Sequence, residues 1–347
     1  MQVDVLIVGQ GIAGSTLAME LIRRNINFIV IDPKSELNAS SVSSGLINPI
    51  TGRNFTKSWM IDELLPEAKE VYRSFEQLLN TRYINSRTIV RTLDDIGQEN
   101  QWYIREATDG YERFINDTYD GSSYDDHIRS IHALGEVKQS YNVDVKSLIK
   151  DFRNFLLASN RLIEEELDYN LLIIHEDFIS YKEIRADVMI CAEGWRVVRN
   201  PYFKDLPFRP VKGEALICKL HPQFPNSNIL KFQKFFVPMD DRSLCWIGSN
   251  YQWDFEDEQP TVKGRSELVL FLEKHMKTPY EIVKHIAGVR PATKYRKPLI
   301  GRHHHHRSLL LFNGLGTKGI SLAPYWSRRL LAHILDDVDL DNRLPKF

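Results

Sequence analysis

The stretch Val3-Asp4-Val5-Leu6-Ile7-Val8-Gly9-Gln10-Gly11-Ile12-Ala13-Gly14 decides how the rest of the chain is read. Val3 to Val8 is a short apolar run rich in β-branched residues, which suits a strand buried on both faces. Gly9-x-Gly11-x-x-Gly14 follows at once. A helical pattern then runs from Ser15 to Arg24, with Ala13, Leu17, Leu21 and Ile22 as its apolar stripe. Phe28 to Ile31 is a second apolar run and ends in Asp32. Gly9 permits the tight strand-to-helix turn, Gly11 lets a pyrophosphate approach the backbone, and Gly14 lets the helix pack on the strand. The helix start supplies N–H groups and a partial positive charge for phosphates. Asp32 can accept hydrogen bonds from both ribose hydroxyls of an adenosine. The glycine triplet alone is weak. Strand, helix, second strand and acid within about 30 residues, one βαβ unit, make a dinucleotide signature. The acid disfavours a 2′-phosphate and so argues against NADP, while FAD and NAD both remain open at this point.

Composition sets the bounds. A chain of 347 residues is too long for one simple core and suggests about two domains. Its 43% hydrophobic and 26% charged residues are those of a globular protein. A net charge of -1 provides no global field towards nucleic acid or anionic membrane. No apolar run approaches a membrane span, and Val3 to Val8 is too short for a signal core, so a cytoplasmic location is expected. Cys191, Cys218 and Cys245 are odd in number and widely spaced, which suggests neither disulfides nor a metal knuckle.

Further along, Pro33 to Asn38 reads as a loop, and Ala39 to Pro49 as a small, polar, turn-forming run able to line a pyrophosphate or a ring edge. Met60 to Leu79 is helical and Ile84 to Arg91 alternates like a strand. Asp94 to Asp126, acidic and rich in aromatics, reads as a solvated surface insertion. Val143 to Leu157 is an amphipathic helix with Asn142 as the expected N-cap. Arg161 to Glu166, Leu171 to His175 and Tyr181 to Ile184 read as short strands, and Asp187 to Ala192 as a buried one ending in Glu193-Gly194. Glu214 to Leu220, Lys234 to Pro238 and Leu244 to Ser249 are expected strands of a second sheet. A helix is expected over 261–277. Leu309 to Phe312 is a buried strand that runs into Asn313-Gly314-Leu315-Gly316-Thr317-Lys318-Gly319 and a helix from Ile320 to Ile334. The chain therefore ends as it began, and two such turns suggest one ligand held between two helix starts. His303 to His306 tempts a metal reading, but in a strand at most two would converge and no acid or thiol lies beside them, so no metal is expected.

This arrangement resembles the D-amino-acid oxidase family of FAD-dependent oxidoreductases. The blocks that carry the likeness are the opening fingerprint with Asp32, the Ser43-Ser44-Gly45 loop, Leu167, Ala192-Glu193-Gly194, Val211-Lys212-Gly213-Glu214, Phe236-Val237-Pro238 with Trp246-Ile247-Gly248, Gly288-Val289-Arg290-Pro291-Ala292-Thr293, Pro298-Leu299-Ile300-Gly301, and Gly314-x-Gly316-x-x-Gly319. The resemblance implies an α/β fold, with a Rossmann-like FAD-binding domain and an inserted mixed-sheet α+β substrate domain. Residues 1–80, 140–200 and 285–347 would form the first, and 81–139 and 201–284 the second. It implies non-covalent FAD, since no cysteine lies near Arg290 or the second glycine turn. The expected cofactor contacts are Gly9, Gly11, Ile12, Ala13, Gly14, Asp32, Ser43, Ser44, Leu167, Ala192, Glu193, Gly194, Gly316, Thr317, Lys318, Gly319 and Ile320.

The implied chemistry is oxidation of a C–N bond in an amine or amino acid bearing a carboxylate, by hydride transfer to the flavin N5. Arg290 is the expected carboxylate fork, because a guanidinium matches a carboxylate bidentately. Lys318 and the last helix would favour negative charge at the N1/O2 edge. Small-amino-acid oxidases often offer a tyrosine near Phe235-Phe236, and phenylalanine here favours a bulkier or more apolar amine. The Leu315-Gly316-Thr317-Lys318-Gly319 run, with the Arg290 segment and Ser249-Asn250-Tyr251, is similar to the oxidase half of the bifunctional tRNA wobble-uridine enzyme. A tRNA carrying a carboxymethyl-substituted uridine is therefore the alternative partner to a small-molecule amine, and a flavin protein without turnover is a third reading. Substrate, electron acceptor and oligomeric state stay open.

Overall fold

The computed structural model describes the chain except residues 36, 37 and 130, together with the side chains of 117 and 118. Of the loop expected over 33–38, residues 36 and 37 thus lie outside the described part. Val5 to Val8 are all buried in the Gln2–Val8 strand, so this run does fill the middle of a sheet covered on both sides. It lies between Phe28–Ile31 and Ile184–Cys191, parallel to both. The far half of Ile184–Cys191 pairs in parallel with Leu309–Asn313, and its near half forms a hairpin with Ile179–Tyr181. The strand expected over Tyr181 to Ile184 is therefore the turn of that hairpin, with Lys182 at φ 50°.

Helices Ile12–Arg23, Ile61–Leu79, Val145–Ala158 and Gly319–Leu335 pack on one face of this sheet. Their apolar stripes supply Leu17, Leu64, Tyr72, Phe152 and Trp326, all at or near zero exposure. Tyr72 donates its hydroxyl to Ile320 O at 2.7 Å, which offsets the cost of burying it. Asn142 does not cap the third of these helices. The Ala133–Val143 strand runs past it, its amide donates to Ser44 O, and Asp144 accepts from Ser147 N at 3.1 Å in its place.

The second sheet has the strand order Tyr280–Arg290, Val211–Leu220, Leu244–Gly248, Phe235–Pro238, Ile229–Lys231, Ile84–Leu93, Ala133–Val143 and Leu46–Ile47. All its neighbours are antiparallel except Ile229–Lys231 with Ile84–Leu93. Helix Val262–His275, capped by Thr261, covers its outer face. Residues 140–143 and 285–290, expected with the dinucleotide part, run in this sheet. The acidic stretch after Asp94 is less of a surface insertion than its charge implies. It holds helix Ile96–Glu106 and strand Ile115–Thr118, and buries Trp102, Phe114 and Tyr124 completely. Asp94, Asp95 and Asp109 face water while Trp102, Phe114 and Tyr124 turn inward, so net charge misleads about burial.

Candidate active site

Both glycine turns open on one cleft of about 2210 Å³. That exceeds an ordinary small-molecule pocket of roughly 300–1,000 Å³ and leaves room for a dinucleotide and a substrate together. In the opening turn, Gly9 has φ 101° and a Cβ there would stand 2.6 Å from Ala192 O. A Cβ on Gly14 would stand 1.8 Å from Gly9 O, so this glycine seats the helix rather than facing the cleft. A Cβ on Gly11 would approach Ser40 Oγ to 3.3 Å. Gly11, Ile12 and Ala13 line the cleft; the N-cap residue Gly11 offers no side chain, and Ser40 Oγ accepts from Ile12 N.

Asp32 lies at the rim with both oxygens held. Oδ2 accepts from Gln10 N at 2.8 Å, and Oδ1 accepts from Lys34 N at 3.0 Å and Arg153 at 2.7 Å. Arg153 also donates to the Gln10 side chain, to Glu164 and to Asp32 O. It fixes the orientation of the carboxylate while leaving lone pairs for hydroxyl donors. Nothing local pointed to Arg153, which comes from a helix 121 residues on.

Leu167, Ala192, Glu193 and Gly194 form the neighbouring wall, with Gly194 at φ 61°. Glu193 does not meet Arg290. Its carboxyl accepts from Tyr169 Oη at 2.6 Å and Asn200 Nδ2 at 2.7 Å, and burial raises its pKa despite those bonds. Ser43 and Ser44 follow the short Ala39–Val42 helix. That segment is clamped on the second sheet, where Trp246 Nε1 donates to Val42 O at 3.1 Å.

The second turn meets the first. A Cβ on Gly319 would lie 3.4 Å from the Ile12 side chain, and Asn313 Nδ2 donates to Gly194 O at 2.9 Å. Gly316, Thr317, Lys318, Gly319 and Ile320 all line the cleft. Lys318, the N-cap residue of the Gly319–Leu335 helix, makes no capping bond with its side chain. Lys318 Nζ has no partner among the described residues, and burial lowers its pKa.

Arg290 ends the Tyr280–Arg290 strand with its guanidinium over Gly213, where a Cβ would stand 2.1 Å away. It donates to Ser249 Oγ and Asn250 O and lies 4.6 Å over the Tyr251 ring. These partners are neutral, burial lowers its pKa, and no ion pair to it exists among the described residues. Behind it, fully buried Glu214 accepts from Gln252 Nε2 and Thr261 Oγ1, both at 2.8 Å, and lies 2.8 Å from His285. Asn250 Oδ1 accepts from Glu214 N at 2.7 Å, so this cluster fixes the loop that holds Arg290. Phe235 faces the cleft, whereas Phe236 packs in the outer core. Thus the site brings together every expected cofactor contact except Gly14, which acts through packing. The two helix starts, and a lysine without a partner among the described residues, suit a diphosphate at one end and an electron-rich ring at the other.

The comparisons agree with this geometry. The family profile described as DAO, FAD dependent oxidoreductase, matches residues 4–115 and 170–333. The chain is 24% identical to glycine oxidase of Pseudomonas putida, over 93% of this chain and 92% of that one. It is 22% identical to the tRNA 5-methylaminomethyl-2-thiouridine biosynthesis bifunctional protein of Idiomarina loihiensis, over 92% of this chain but only 54% of that one, about half its length. Among solved structures, glycine oxidase from Geobacillus kaustophilus superposes with a TM-score of 0.79 at 18% identity, covering 98% and 96% of the two chains. Iminodiacetate oxidase from Chelativorans sp. BNC1 gives 0.79 at 18%, covering 98% of each. With both glycine turns on one cleft and the profile spanning most of its length, the chain belongs to the DAO family of FAD-dependent oxidoreductases, as an enzyme whose cofactor is FAD.

Proposed function

We propose that the enzyme oxidises the C–N bond of an amine or amino acid bearing a carboxylate, with the carboxylate held by Arg290. The observation that carries this reading is a half-buried guanidinium in the cleft whose partners are all neutral. Burial of a cation without a counter-charge is costly, and a bound carboxylate offsets that cost while fixing the substrate's orientation. FAD supplies a two-electron acceptor when bound. Asp32 and the Ile12–Arg23 helix start would hold its ribose and diphosphate. Lys318 and the Gly319–Leu335 helix start would face the ring edge that gains negative charge on reduction. The substrate's α-carbon gives up a hydride, and water hydrolyses the resulting imine. The described residues include no carboxylate or histidine bonded to Arg290, and hydride loss from a neutral amine requires no base at the carbon.

Anaerobic mixing with a panel of carboxylated amines tests the reading, with bleaching of the flavin band as the expected result. A flavin that no such amine bleaches would overturn it. A second reading follows from the likeness to the tRNA-modifying protein: a carboxymethylaminomethyl base whose carboxylate occupies the same guanidinium. Salt-dependent retention of tRNA on a filter supports it, and bleaching by free amines without RNA retention refutes it.

A further inference from the structure

One wall of the cleft is the inner face of the second sheet, and its character changes along a single row. Ala215 pairs with Gly248, Gly248 with Phe235, Phe235 with Lys231, and Lys231 with Arg91. All five line the cleft, as partners in register on one face should. The row begins beside Ser249, which accepts from Arg290, passes one aromatic ring, and ends in two adjacent cations.

Lys231 Nζ donates to Gln233 O at 2.7 Å and lies 4.2 Å over the Phe235 ring. The Arg91 guanidinium donates to Gly52 O at 2.7 Å and lies 4.5 Å over the Phe55 ring. All these partners are neutral, and neither cation forms an ion pair among the described residues. The surrounding charges are otherwise engaged. Asp94, whose field reaches Arg91, accepts from Thr92 and Gln98. Asp240 lies 3.8 Å from Arg87, Asp241 accepts from Ser243, and Lys234 pairs with Glu267 at 2.7 Å. Burial, then the fields of Arg91 and Lys234, push the Lys231 amine down to about 7. Burial brings Arg91 to about 10, so it stays charged.

We infer that Arg91 and Lys231 receive a second carboxylate of the substrate, so that the oxidised amine carries one carboxylate at Arg290 and another on its opposite arm. This rests on the assignment of Arg290 and narrows the substrate class to dicarboxylated amines. Gly248 and Lys231 are two strand spacings apart, roughly 10 Å. Gly248 adjoins Ser249, whose hydroxyl holds Arg290, so a span of that order suits a chain of several atoms with the nitrogen in its middle. Phe235 lies under that chain as an apolar floor.

The test uses the FAD-loaded protein. Its flavin spectrum is titrated with butyrate, glutarate and adipate, which are not oxidised. It is then reduced anaerobically with N-alkylglycines and with N-(carboxyalkyl)glycines of matched length. The second carboxylate should tighten binding and raise kcat/KM about 10-fold or more, the worth of one charge-assisted hydrogen bond. The share of that advantage owed to Lys231 should fade as pH rises through about 7, where the free enzyme's Lys231 loses its proton, while the share owed to Arg91 persists. Lys231→Met should lower the dicarboxylate-to-monocarboxylate ratio, and the Arg91→Met/Lys231→Met double variant should bring it close to one. Lys231→Arg should restore it and remove its pH dependence. If N-alkylglycines bleach the flavin but a second carboxylate gains nothing at any length, or if the Arg91→Met/Lys231→Met double variant keeps the advantage, the second-anion site is refuted and the Arg290 reading stands. If no carboxylate perturbs the flavin and no carboxylated amine reduces it, both fall.

Discussion

The role proposed for Arg290 rests on what surrounds it. A guanidinium beside an acid is a brace; one held by Ser249, Asn250 O and the Tyr251 ring keeps its charge for a ligand. Arg290→Ala should raise KM roughly 10- to 100-fold, the worth of a charge-assisted bidentate pair, with bound FAD unchanged. Steady-state kinetics beside the flavin absorbance of the purified variant check this, and loss of the flavin would count against the assigned role. Lys318 is the complementary case, an amine at the second turn with no partner among the described residues. If its charge favours the reduced ring, Lys318→Met should lower the flavin reduction potential, as measured by dye-equilibrated titration. Its lowered pKa sets the sign with pH: the amine is charged at low pH and neutral at high pH, so variant and parent should converge as pH rises. The sequence displayed both side chains, but not the neutrality of their surroundings.

Among the secondary-structure elements, the glycine turns carry the cofactor reading and the caps carry stability. Gly14→Ala places a Cβ 1.8 Å from Gly9 O, which the helix can relieve only by moving off the strand. The variant should purify with little FAD and a lowered melting temperature, even though Gly14 does not face the cleft. Asp144→Ala removes the bond to Ser147 N that starts the Val145–Ala158 helix. Urea unfolding should show a loss of about 1 kcal/mol, with FAD binding retained. The cap falls two residues beyond Asn142 because the preceding strand continues through Val143. Local sequence marked both the strand and the helix, whereas strand pairing decided where one gave way to the other.

At the level of the whole molecule, the cleft exists because two sheets meet across residues distant in the chain. Gly319 touches Ile12, Asn313 bonds to Gly194, and Trp246 bonds to Val42. A ligand spanning such a seam stabilises the native state by linkage, about 4 kcal/mol at a thousandfold excess over its Kd. Stripping FAD should therefore lower the melting temperature by several degrees, and adding it back should restore the loss, as read by calorimetry. The sequence alone determined the opening strand–turn–helix, its Asp32, the second glycine turn and the presence of two sheets. Each of these is written in a few contiguous residues whose backbone freedom and apolar period are local properties. Only the tertiary structure decided that Arg153 serves Asp32, that Glu193 turns towards Tyr169 and Asn200, that the acidic stretch buries Trp102, and that Arg91 lies beside Lys231. Those outcomes depend on which charge finds which partner across the folded chain, and a partner far along the sequence leaves no local trace.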